Sequence, residues 1–292
     1  ENRILKLYLE MENTVSQIMV TKSDGRIVSF DPNKIIRVLR KVGAEEQAIS
    51  LILQQTYKIL YEGIPTKKIY KSVFENLKRM DKSIAGRYNL KNAIFALGPS
   101  GFPFEKYVGS LFIAEGYSVK TGVSVSGQCV EHEVDVIAEN ISELNMMECK
   151  FHSTNKIYCS IQHSLYVRAR FWDIENSWKE ENVDSSKMFF GWLVTNTRFS
   201  TDAITYGTCS NLKMMSWDFP LNNGLRDRID KLGLHPITAI VSLLKKEKQK
   251  LLDMGVVLCK GLNTDILKSL GIDESRIPDI MKESTNLCRK NK

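Results

Sequence analysis

Two short stretches in the middle of the chain combine acidic and basic residues in a pattern that could bind a metal ion and cut a phosphodiester bond. One contains Asp135 within an apolar run, and the next contains Glu148 and Lys150 separated by one residue. Two adjacent carboxylates repel each other unless a cation lies between them, and their hard oxygens favour Mg²⁺ or Mn²⁺. A metal ion that polarises a phosphate, beside a lysine that stabilises developing charge, is typical of phosphodiester hydrolysis.

These residues are predicted to lie on one β-hairpin. Alternating apolar and polar residues predict strands over 131–139 (EHEVDVIAE) and 143–151 (ELNMMECKF), and the short connection makes them antiparallel neighbours. Because side chains alternate across a strand, Glu148 and Lys150 share one face and the apolar residues between them the other. The hairpin therefore places Asp135 beside Glu148.

The segments around the hairpin have the pattern of a mixed α/β domain. They are predicted as a helix over 104–116, a strand over 117–125, a helix over about 158–175, a strand over 188–196, a short helix over Thr201–Thr205 and an apolar segment over 212–219. Strands mixed with flanking helices would bury one apolar face of the hairpin and leave its charged face open.

The order of these motifs resembles a known enzyme superfamily. Phe104-Glu105 opens a helix, Gly116-Tyr117 opens a strand, and the segments 133–138 and 148–150 follow in the hairpin. In this order they resemble the PD-(D/E)xK nucleases, specifically the Mrr-like restriction endonuclease branch, over about residues 102–175. The resemblance implies a Mg²⁺- or Mn²⁺-dependent endonuclease that hydrolyses DNA. It also implies the site residues: Asp135 and Glu148 as metal ligands, Lys150 as the catalytic lysine, Glu105 as an auxiliary acid and Gln162 on the following helix.

The chain departs from that superfamily in lacking a Pro-Asp pair ahead of the hairpin. Glu131, His132 and Glu133 crowd Asp135, so which upstream acid contacts the metal stays open among Glu131, Glu133 and Asp135. The simpler interpretation is an amphipathic hairpin whose charges are only solvated, because a Glu-x-Lys tripeptide alone is common. The agreement of helix, strand and hairpin contexts favours the nuclease.

A second set of residues has the spacing of a structural zinc site. Cys149 and His152 are followed by Cys159 and His163. Since alternation turns Cys149 away from Glu148 and Lys150, we expect it to be a buried core cysteine instead.

The N-terminal part of the chain predicts a small helical unit with a leading hairpin. A turn at Ser23-Asp24-Gly25 joins two short strands, and Asp31 followed by Pro32 starts a helix that ends at Gly43. Further helices are predicted over about 45–62, from Thr66, and over 85–97.

This region resembles the ATP-cone, a regulatory nucleotide-binding module, over about residues 18–97. The motifs are the segments 20–26, 30–35 and 85–88. The resemblance implies that ATP or dATP binds as an effector and that its contacts come from Val20, Lys22, Arg26, Lys34 and Arg87. No GxxxxGK[ST] or GxGxxG motif occurs, so Walker-type hydrolysis is not expected. The alternative is a small basic domain that grips DNA directly.

Composition places these parts in one chain with two basic flanks. Residues 1–100 hold 17 basic against 10 acidic side chains, residues 101–219 hold 10 against 15, and residues 220–292 hold 14 against 9. Basic flanks indicate a polyanionic partner such as DNA. The scattered cysteines and the lack of a long apolar run predict a reduced, cytoplasmic protein without a membrane segment.

The sequence therefore predicts a multi-domain α/β protein. Its parts are an N-terminal extension or cloning remnant (1–17), the ATP-cone (18–98), the endonuclease domain (101–219) and a helical C-terminal domain (220–292) with possible DNA contacts, divided by the turn residues 98–103. Tail helices are predicted over Asp227–Lys231, Pro236–Met254, Thr264–Leu270 and Asp279–Cys288. A homodimer or higher homo-oligomer is expected. The rival functions are a nucleotide-sensing DNA-binding regulator with an inert nuclease fold, and a structure-specific resolvase of branched DNA.

Overall fold

The computed structural model describes residues 18–182 and 186–289. The extension predicted at 1–17 lies outside the described residues. The chain divides into two compact units, one reaching to Asn89 and the other starting at Leu90. Within the described residues, every helix is too short or too polar to span a bilayer.

The first unit is a three-stranded sheet followed by helices. Its strands pair in the order β2-β1-β3, with β2 antiparallel and β3 parallel to β1. Its elements are β1 (Met19–Thr21), β2 (Ile27–Ser29), α1 (Pro32–Lys41), α2 (Glu46–Lys58), β3 (Ile64–Pro65), α3 (Thr66–Met80) and α4 (Lys82–Tyr88).

Local sequence explains how this unit begins. Gly25 has a φ of 84°, which closes the turn between β1 and β2. The Asp31 side chain accepts a hydrogen bond from the Asn33 backbone N–H at 3.0 Å, and Pro32 takes the first helical position, as the sequence predicts. The unit buries an apolar core formed by Val20, Phe30, Leu39, Ile49, Ile52, Ile64, Val73 and Leu77.

The helix predicted over 85–97 is wrong as a single element. Helix α4 ends at Tyr88, and a separate helix α5 (Leu90–Phe95) starts the second unit. The Tyr70 hydroxyl from α3 donates to the Tyr88 carbonyl oxygen at 3.1 Å or to Asn89 Oδ1 at 2.9 Å, so the break at Asn89 is fixed by a tertiary contact.

The turn residues 98–103 lie inside the second unit, although the sequence predicts a domain boundary there. Leu90, Ala93, Ile94 and Leu97 belong to the core of this unit. Gly98 packs so closely on the Phe151 ring that a Cβ atom would meet the ring at 2.5 Å. The segment has the composition of a linker, but its glycine serves a close packing contact.

A five-stranded mixed sheet forms the centre of the second unit. The strands are ordered β10-β8-β6-β5-β4, with β4, β5 and β6 antiparallel and β6, β8 and β10 parallel. Its elements, with the separate short pair β7 and β9, are α6 (Phe102–Ala114), β4 (Ser118–Ser126), β5 (Glu131–Glu139), β6 (Glu143–Lys150), β7 (Tyr158–Cys159), α7 (Ile161–Glu181), β8 (Met188–Thr195), β9 (Arg198–Phe199), α8 (Thr201–Cys209) and β10 (Lys213–Met215).

The two faces of this sheet are covered by different helices. Met147 and Cys149 of β6 belong to a core shared with α6 and the C-terminal helices. Leu144 and Met146, which alternate with them, belong to a core shared with Val167 of α7. Glu148 and Lys150 therefore lie on the α7 side, opposite to Met147 and Cys149, as the alternation predicts.

Two predicted helices differ in extent from the observed ones. Residues 158–159 pair with β9 as a short strand, so α7 begins only at Ile161 and runs on to Glu181. The helix predicted over Pro236–Met254 is a short 3₁₀ turn at Ile237–Ala239 and, after a further turn at residues 241–242, a helix from Lys245. The buried Glu283 side chain accepts the N–H groups of residues 241 and 242 and so satisfies the backbone where the helix is interrupted.

The C-terminal helices share the core of the sheet and do not form a separate compact unit. They are α9 (Leu225–Leu232), α10 (Lys245–Asp253), α11 (Thr264–Ser269) and α12 (Ile277–Cys288). The Tyr107 hydroxyl of α6 donates to the Leu234 carbonyl oxygen at 2.7 Å, and the Thr238 hydroxyl donates to the Ala93 carbonyl oxygen at 2.6 Å. The first contact fixes α6, which carries Glu105, and the second fixes α5 against the C-terminal part of the chain.

Candidate active site

The hairpin predicted from the sequence is present, and its register brings the two carboxylates together. β5 and β6 pair antiparallel with Val136 opposite Met147. The β5–β6 ladder ends at this pair, and just beyond it the Glu148 carboxylate lies close enough to Asp135 for its charge to raise the pKa of Asp135. β6 pairs with β8 along its whole length and with β5 over residues 144–147, so Glu148 lies where the pairing with β5 has ended and that with β8 continues.

Asp135 lies where β5 is interrupted. The ladder between β4 and β5 skips the pair Gly122 and Asp135, and Gly122 has a φ of 61°. The Asp135 side chain accepts the Cys149 backbone N–H through Oδ2 at 2.6 Å. Burial and the nearby Glu148 carboxylate raise the pKa of Asp135 to about 6.

Glu105 approaches the same carboxylates from the first turn of α6. Burial raises the pKa of Glu105 to about 7, and repulsion from Asp135, Glu133 and Glu148 adds to the shift, while Lys150 lowers the pKa. The auxiliary acid predicted from the first helix therefore lies within electrostatic reach of the hairpin acids.

Glu148 is the most buried of these acids, with 6 % of its surface exposed. Its Oε1 accepts from the Lys150 ammonium, and its Oε2 accepts from the Arg170 guanidinium. The Lys150 side chain is 31 % exposed and its carbonyl oxygen is held by the Thr195 hydroxyl at 2.8 Å. Both oxygens of the central carboxylate are thus paired with cations.

Arg170 is the residue of this site that sequence reasoning missed. It lies on α7, 22 residues from Glu148, and its second nitrogen donates to the Glu133 carbonyl oxygen. The sequence signal was weak, because an arginine on a helix is equally compatible with a solvated position or with a DNA contact. Only the packing of α7 across the sheet assigns it to Glu148.

The three charged or polar residues just upstream of Asp135 have different surroundings in the structure. Glu131 is exposed and accepts hydrogen bonds from the hydroxyls of Ser124 and Ser126 at 3.1 and 2.5 Å. His132 pairs with Asp173 of α7 at 2.8 Å. Glu133 is exposed and is the one of the three whose charge acts on Glu105. Of these three residues, Glu133 is therefore the one whose charge acts on an acid of the predicted metal site.

Asp173 ties α7 to the turn between β4 and β5. Its carboxylate accepts the backbone N–H groups of Cys129 at 2.9 Å and Val130 at 3.3 Å in addition to the His132 ring nitrogen. These contacts, with the His132 hydrogen bond as the largest, lower the pKa of Asp173 to about 2. The element that carries Arg170 is thereby fixed to the strand that carries Asp135.

Gln162 is placed on the first turn of α7, where its side chain is exposed. Arg170 follows on the same helix about two turns later. The cysteines and histidines with zinc-like spacing lie nearby: His152 Nε2 is 3.4 Å from Cys159 Sγ, and His163 accepts the Ser160 N–H at 3.2 Å. Cys149 lies in the core on the opposite face, as expected from alternation.

The acids of this site fit a hard divalent cation by their chemistry. Carboxylate oxygens are the ligands that Mg²⁺ and Mn²⁺ prefer. Burial is the main cause of the raised pKa values of Asp135 and Glu105, and the neighbouring carboxylates add a repulsion that a bound cation would relieve. Among the described residues, no three His, Cys, Asp or Glu side chains are already arranged to hold a metal ion. A metal bound through Glu148 would compete with its two cationic partners for the carboxylate oxygens.

The predicted nucleotide contacts of the first unit lie around β1 and α1. Val20 is buried, Lys22 is half-buried, and the side chains of Arg26 and Lys34 are 70 % and 63 % exposed. Arg26 pairs with Asp24 at 2.6 Å, and Lys34 lies 3.8 Å from Asp31. Arg87, in the last turn of α4, is half-buried.

Two known families match separate parts of the chain. The ATP cone domain matches residues 18–91, which confirms the resemblance seen in the sequence. The C-terminal domain described as AF1548-like matches residues 235–288.

Two similar proteins have no described activity. An uncharacterized protein of Archaeoglobus fulgidus is 32% identical over 172 residues, which cover 58% of this chain and 92% of the relative. A crystal structure described as the protein of unknown function AF1548 superposes with a TM-score of 0.53 at 30% identity, over 65% of this chain and 98% of that chain.

Proposed function

The chain belongs to the AF1548-like family and carries an ATP cone domain, and from this premise we propose that it is a metal-dependent DNA endonuclease controlled by a nucleotide effector. The catalytic part is the second unit, and the regulatory part is the first. ATP cone domains bind effectors such as ATP or dATP, so the nucleotide acts as a signal and is not consumed.

The observation that carries the proposal is the convergence of Glu105, Asp135 and Glu148 around Lys150. These residues come from one helix and two adjacent strands, and their charges act on one another. Burying carboxylates close together costs free energy, so such an arrangement is typical of a site whose function requires it. The mixed sheet in the order β10-β8-β6-β5-β4 is compatible with the PD-(D/E)xK nucleases that the sequence resembles.

In this proposal Asp135 and Glu148 hold Mg²⁺ or Mn²⁺, with Glu105 as an auxiliary acid. The ion, when bound, supplies a polarised phosphate and an activated water molecule. Lys150 donates from its ammonium to an oxygen of the phosphate as negative charge develops there. Gln162, exposed at the start of α7, is assigned to the DNA-facing rim of the site.

The nucleotide is proposed to bind at the hairpin of the first unit. Lys22, Arg26 and Lys34 supply positive charge for the triphosphate, and Val20 and Arg87 complete the predicted set. The ion pairs that Arg26 and Lys34 now form are exposed to solvent and contribute little free energy, so breaking them to bind a phosphate costs little.

DNA and a second copy of the chain are the proposed macromolecular partners. The C-terminal part contributes basic charge, and Lys245, Lys246 and Lys250 of α10 are exposed. Such lysines bind the phosphate backbone without reading sequence. A homodimer would present two centres to the two strands of a duplex.

A nucleotide-sensing DNA-binding regulator with an inert nuclease fold is the second candidate. One observation favours it: both oxygens of Glu148 already have cationic partners within the chain. A site neutralised in this way could persist for structural reasons alone.

The decisive experiment is cleavage of supercoiled plasmid and of branched DNA by the purified protein. The reactions contain Mg²⁺, Mn²⁺ or EDTA, each with and without ATP or dATP. We expect metal-dependent nicking or linearisation whose rate changes with the nucleotide, together with a nucleotide-dependent shift in sedimentation. DNA binding without cleavage under every metal condition would favour the regulator.

A further inference from the structure

Arg170 holds the central carboxylate of the site from the helix above the sheet. Its guanidinium donates to Glu148 Oε2 and, through a different nitrogen, to the Glu133 backbone carbonyl oxygen. The ring of Tyr166, one turn earlier on α7, lies 5.5 Å from the guanidinium carbon. The side chain is only 16 % exposed, so these contacts fix its position.

This arrangement gives one buried anion two cations. Glu148 carries a single negative charge, whereas Lys150 and Arg170 together carry two positive charges. A buried carboxylate needs a partner, because an unpaired buried charge is strongly unfavourable. When a divalent cation takes an oxygen of Glu148, it competes with these two cations for the carboxylate, and the cation that it displaces is left with the weaker attraction of the nearby Asp135, on which both act.

Arg170 is the partner better suited to leave. It keeps its second hydrogen bond to the Glu133 carbonyl oxygen when it releases Glu148, so its guanidinium stays at the site. Several of its five N–H donors are then free, and their planar arrangement matches the oxygens of a phosphate group.

We propose that Arg170 is the counter-ion that a divalent metal displaces from Glu148, and that the released guanidinium then binds the phosphate group to be cleaved. This inference rests on the proposed nuclease function and adds one residue to its site. It explains how Glu148 can remain buried before metal binds and why a second cation is placed beside Lys150.

The proposal has a signature that a bracing role lacks. If Arg170 competes with the metal, its removal strengthens metal binding and weakens catalysis. If Arg170 only stabilises the packing of α7 on β6, its removal makes the site less ordered, and metal affinity and cleavage rate both decrease. Metal affinity measured without DNA therefore separates the two roles.

The test variant is Arg170→Gln, measured by calorimetric titration with Mn²⁺ in the absence of DNA and by plasmid cleavage at saturating Mn²⁺. We expect Mn²⁺ affinity to rise about tenfold, because a charge competing for the same carboxylate is gone, and the cleavage rate to fall at least about tenfold. The matched control is Arg168→Gln on the same helix. Arg168 donates hydrogen bonds to the Ser210 carbonyl oxygen and to Glu175, away from Glu148. The Mn²⁺ affinity and the cleavage rate of this control should stay within about twofold of the wild type.

Unchanged or weaker Mn²⁺ binding by Arg170→Gln would overturn the displacement, and wild-type cleavage would overturn the phosphate contact. Should that variant fail to fold, Arg170→Lys is decisive, because it keeps the charge and loses the planar group. We expect it to bind Mn²⁺ within about threefold of the wild type and to cleave about tenfold more slowly; full activity would contradict the proposal. A wild-type protein that binds Mn²⁺ and cuts no DNA would refute the proposed function, while the titrations would still decide the displacement.

Discussion

The β1–β2 hairpin of the first unit keeps its ion pair in solvent, whereas the β5–β6 hairpin of the second unit buries its central carboxylate, Glu148. In the first, Arg26 is paired with Asp24, two residues away in sequence. In the second, Glu148 is paired with Arg170, 22 residues away on another element. The first arrangement depends on local sequence, and the second depends on the packing of α7 on the sheet.

This difference determines what ligand binding costs at each site. An exposed ion pair contributes little to stability and can be exchanged for a phosphate at little cost. A buried pair is costly to break and holds the surrounding strands in place. We therefore expect changes at the first hairpin to alter ligand affinity alone, and changes at the second to alter chemistry and stability together.

The largest expected effect is the loss of cleavage when an acid of the second site is replaced without disturbing the fold. Asp135→Asn retains an oxygen that can accept the Cys149 N–H and removes the charge that repels Glu148 and Glu105. We expect cleavage to fall by at least about a thousandfold, since a metal ligand is lost. The Tm in the absence of metal should equal or exceed that of the wild type, as measured by scanning fluorimetry.

Glu131→Gln is the matched control, because Glu131 lies on the same strand but is exposed and pairs with serines. It should leave cleavage near the wild-type rate. If Asp135→Asn cut plasmid as fast as this control, the hairpin could not be the active site.

The next effect concerns ligand affinity at the first hairpin. Lys22→Ala combined with Lys34→Ala removes two positive charges from the predicted triphosphate contacts. Calorimetric affinity for ATP should fall about tenfold per lost contact, while DNA cleavage without nucleotide should be retained. Lys71→Ala with Lys78→Ala, two exposed lysines of α3, serves as the charge-matched control. Equal ATP affinity in the two double variants would instead favour the DNA-gripping interpretation of this unit.

A pH titration of stability sharpens the contrast between buried and exposed charge. Asp135 and Glu105 have pKa values raised from 3.8 and 4.5 to about 6 and about 7, so the folded protein binds more protons than the unfolded chain in that range. The free energy of unfolding should therefore decrease as the pH rises from about 4 to about 7.

Metal should reverse this loss. Because a divalent cation favours the ionised carboxylates, the Tm increase caused by Mn²⁺ should be larger at about pH 8 than at about pH 5.5. The Asp135→Asn variant should show a smaller pH dependence. An identical Mn²⁺ effect at both pH values would argue against metal binding at these acids.

The smallest expected effect is a change in Tm, and it is tested on two aspartates, Asp24 and Asp173, whose pKa values are both lowered to about 2. Hydrogen bonding lowers the pKa of Asp24 through Arg26 in the same turn, and that of Asp173 through His132 on another element. Asp173→Asn should lower the Tm by a few degrees, because it weakens the contact between α7 and the β4–β5 turn. Asp24→Asn should leave the Tm unchanged.

This contribution of Asp173 should also depend on pH. A carboxyl whose folded pKa is lowered stabilises the protein above its ordinary pKa, and the stabilisation is lost as the pH falls from about 4 to about 2. The difference in Tm between the wild type and Asp173→Asn should therefore be full near neutral pH and vanish in strong acid. A constant difference would show that the Asp173 charge is not the cause.

Much of the second site could be predicted from the sequence because strand alternation is a local property. The alternation of residues 146–151 was sufficient to turn Cys149 into the core, and the short connection to β5 was sufficient to make the two strands antiparallel neighbours, which brings Asp135 within reach of the Glu148 charge. The same locality explains the N-cap at Asp31 and the turn at Gly25. The family comparison confirms the ATP cone for similar reasons, since its motifs lie in short continuous segments.

The remaining features required tertiary structure because they depend on contacts between distant segments. The 85–97 helix is divided at Asn89 by the Tyr70 hydroxyl, and Gly98 serves the Phe151 ring in a segment that has the composition of a linker. The ion pair between Glu148 and Arg170 could not be predicted either, since the sequence pattern places Arg170 on a helix and does not determine which strand that helix packs on. The sequence by itself determined which charges share a strand face. Only the packing of α7 on the sheet decided which cation is buried with Glu148, because a buried charge takes the partner that folding brings to it.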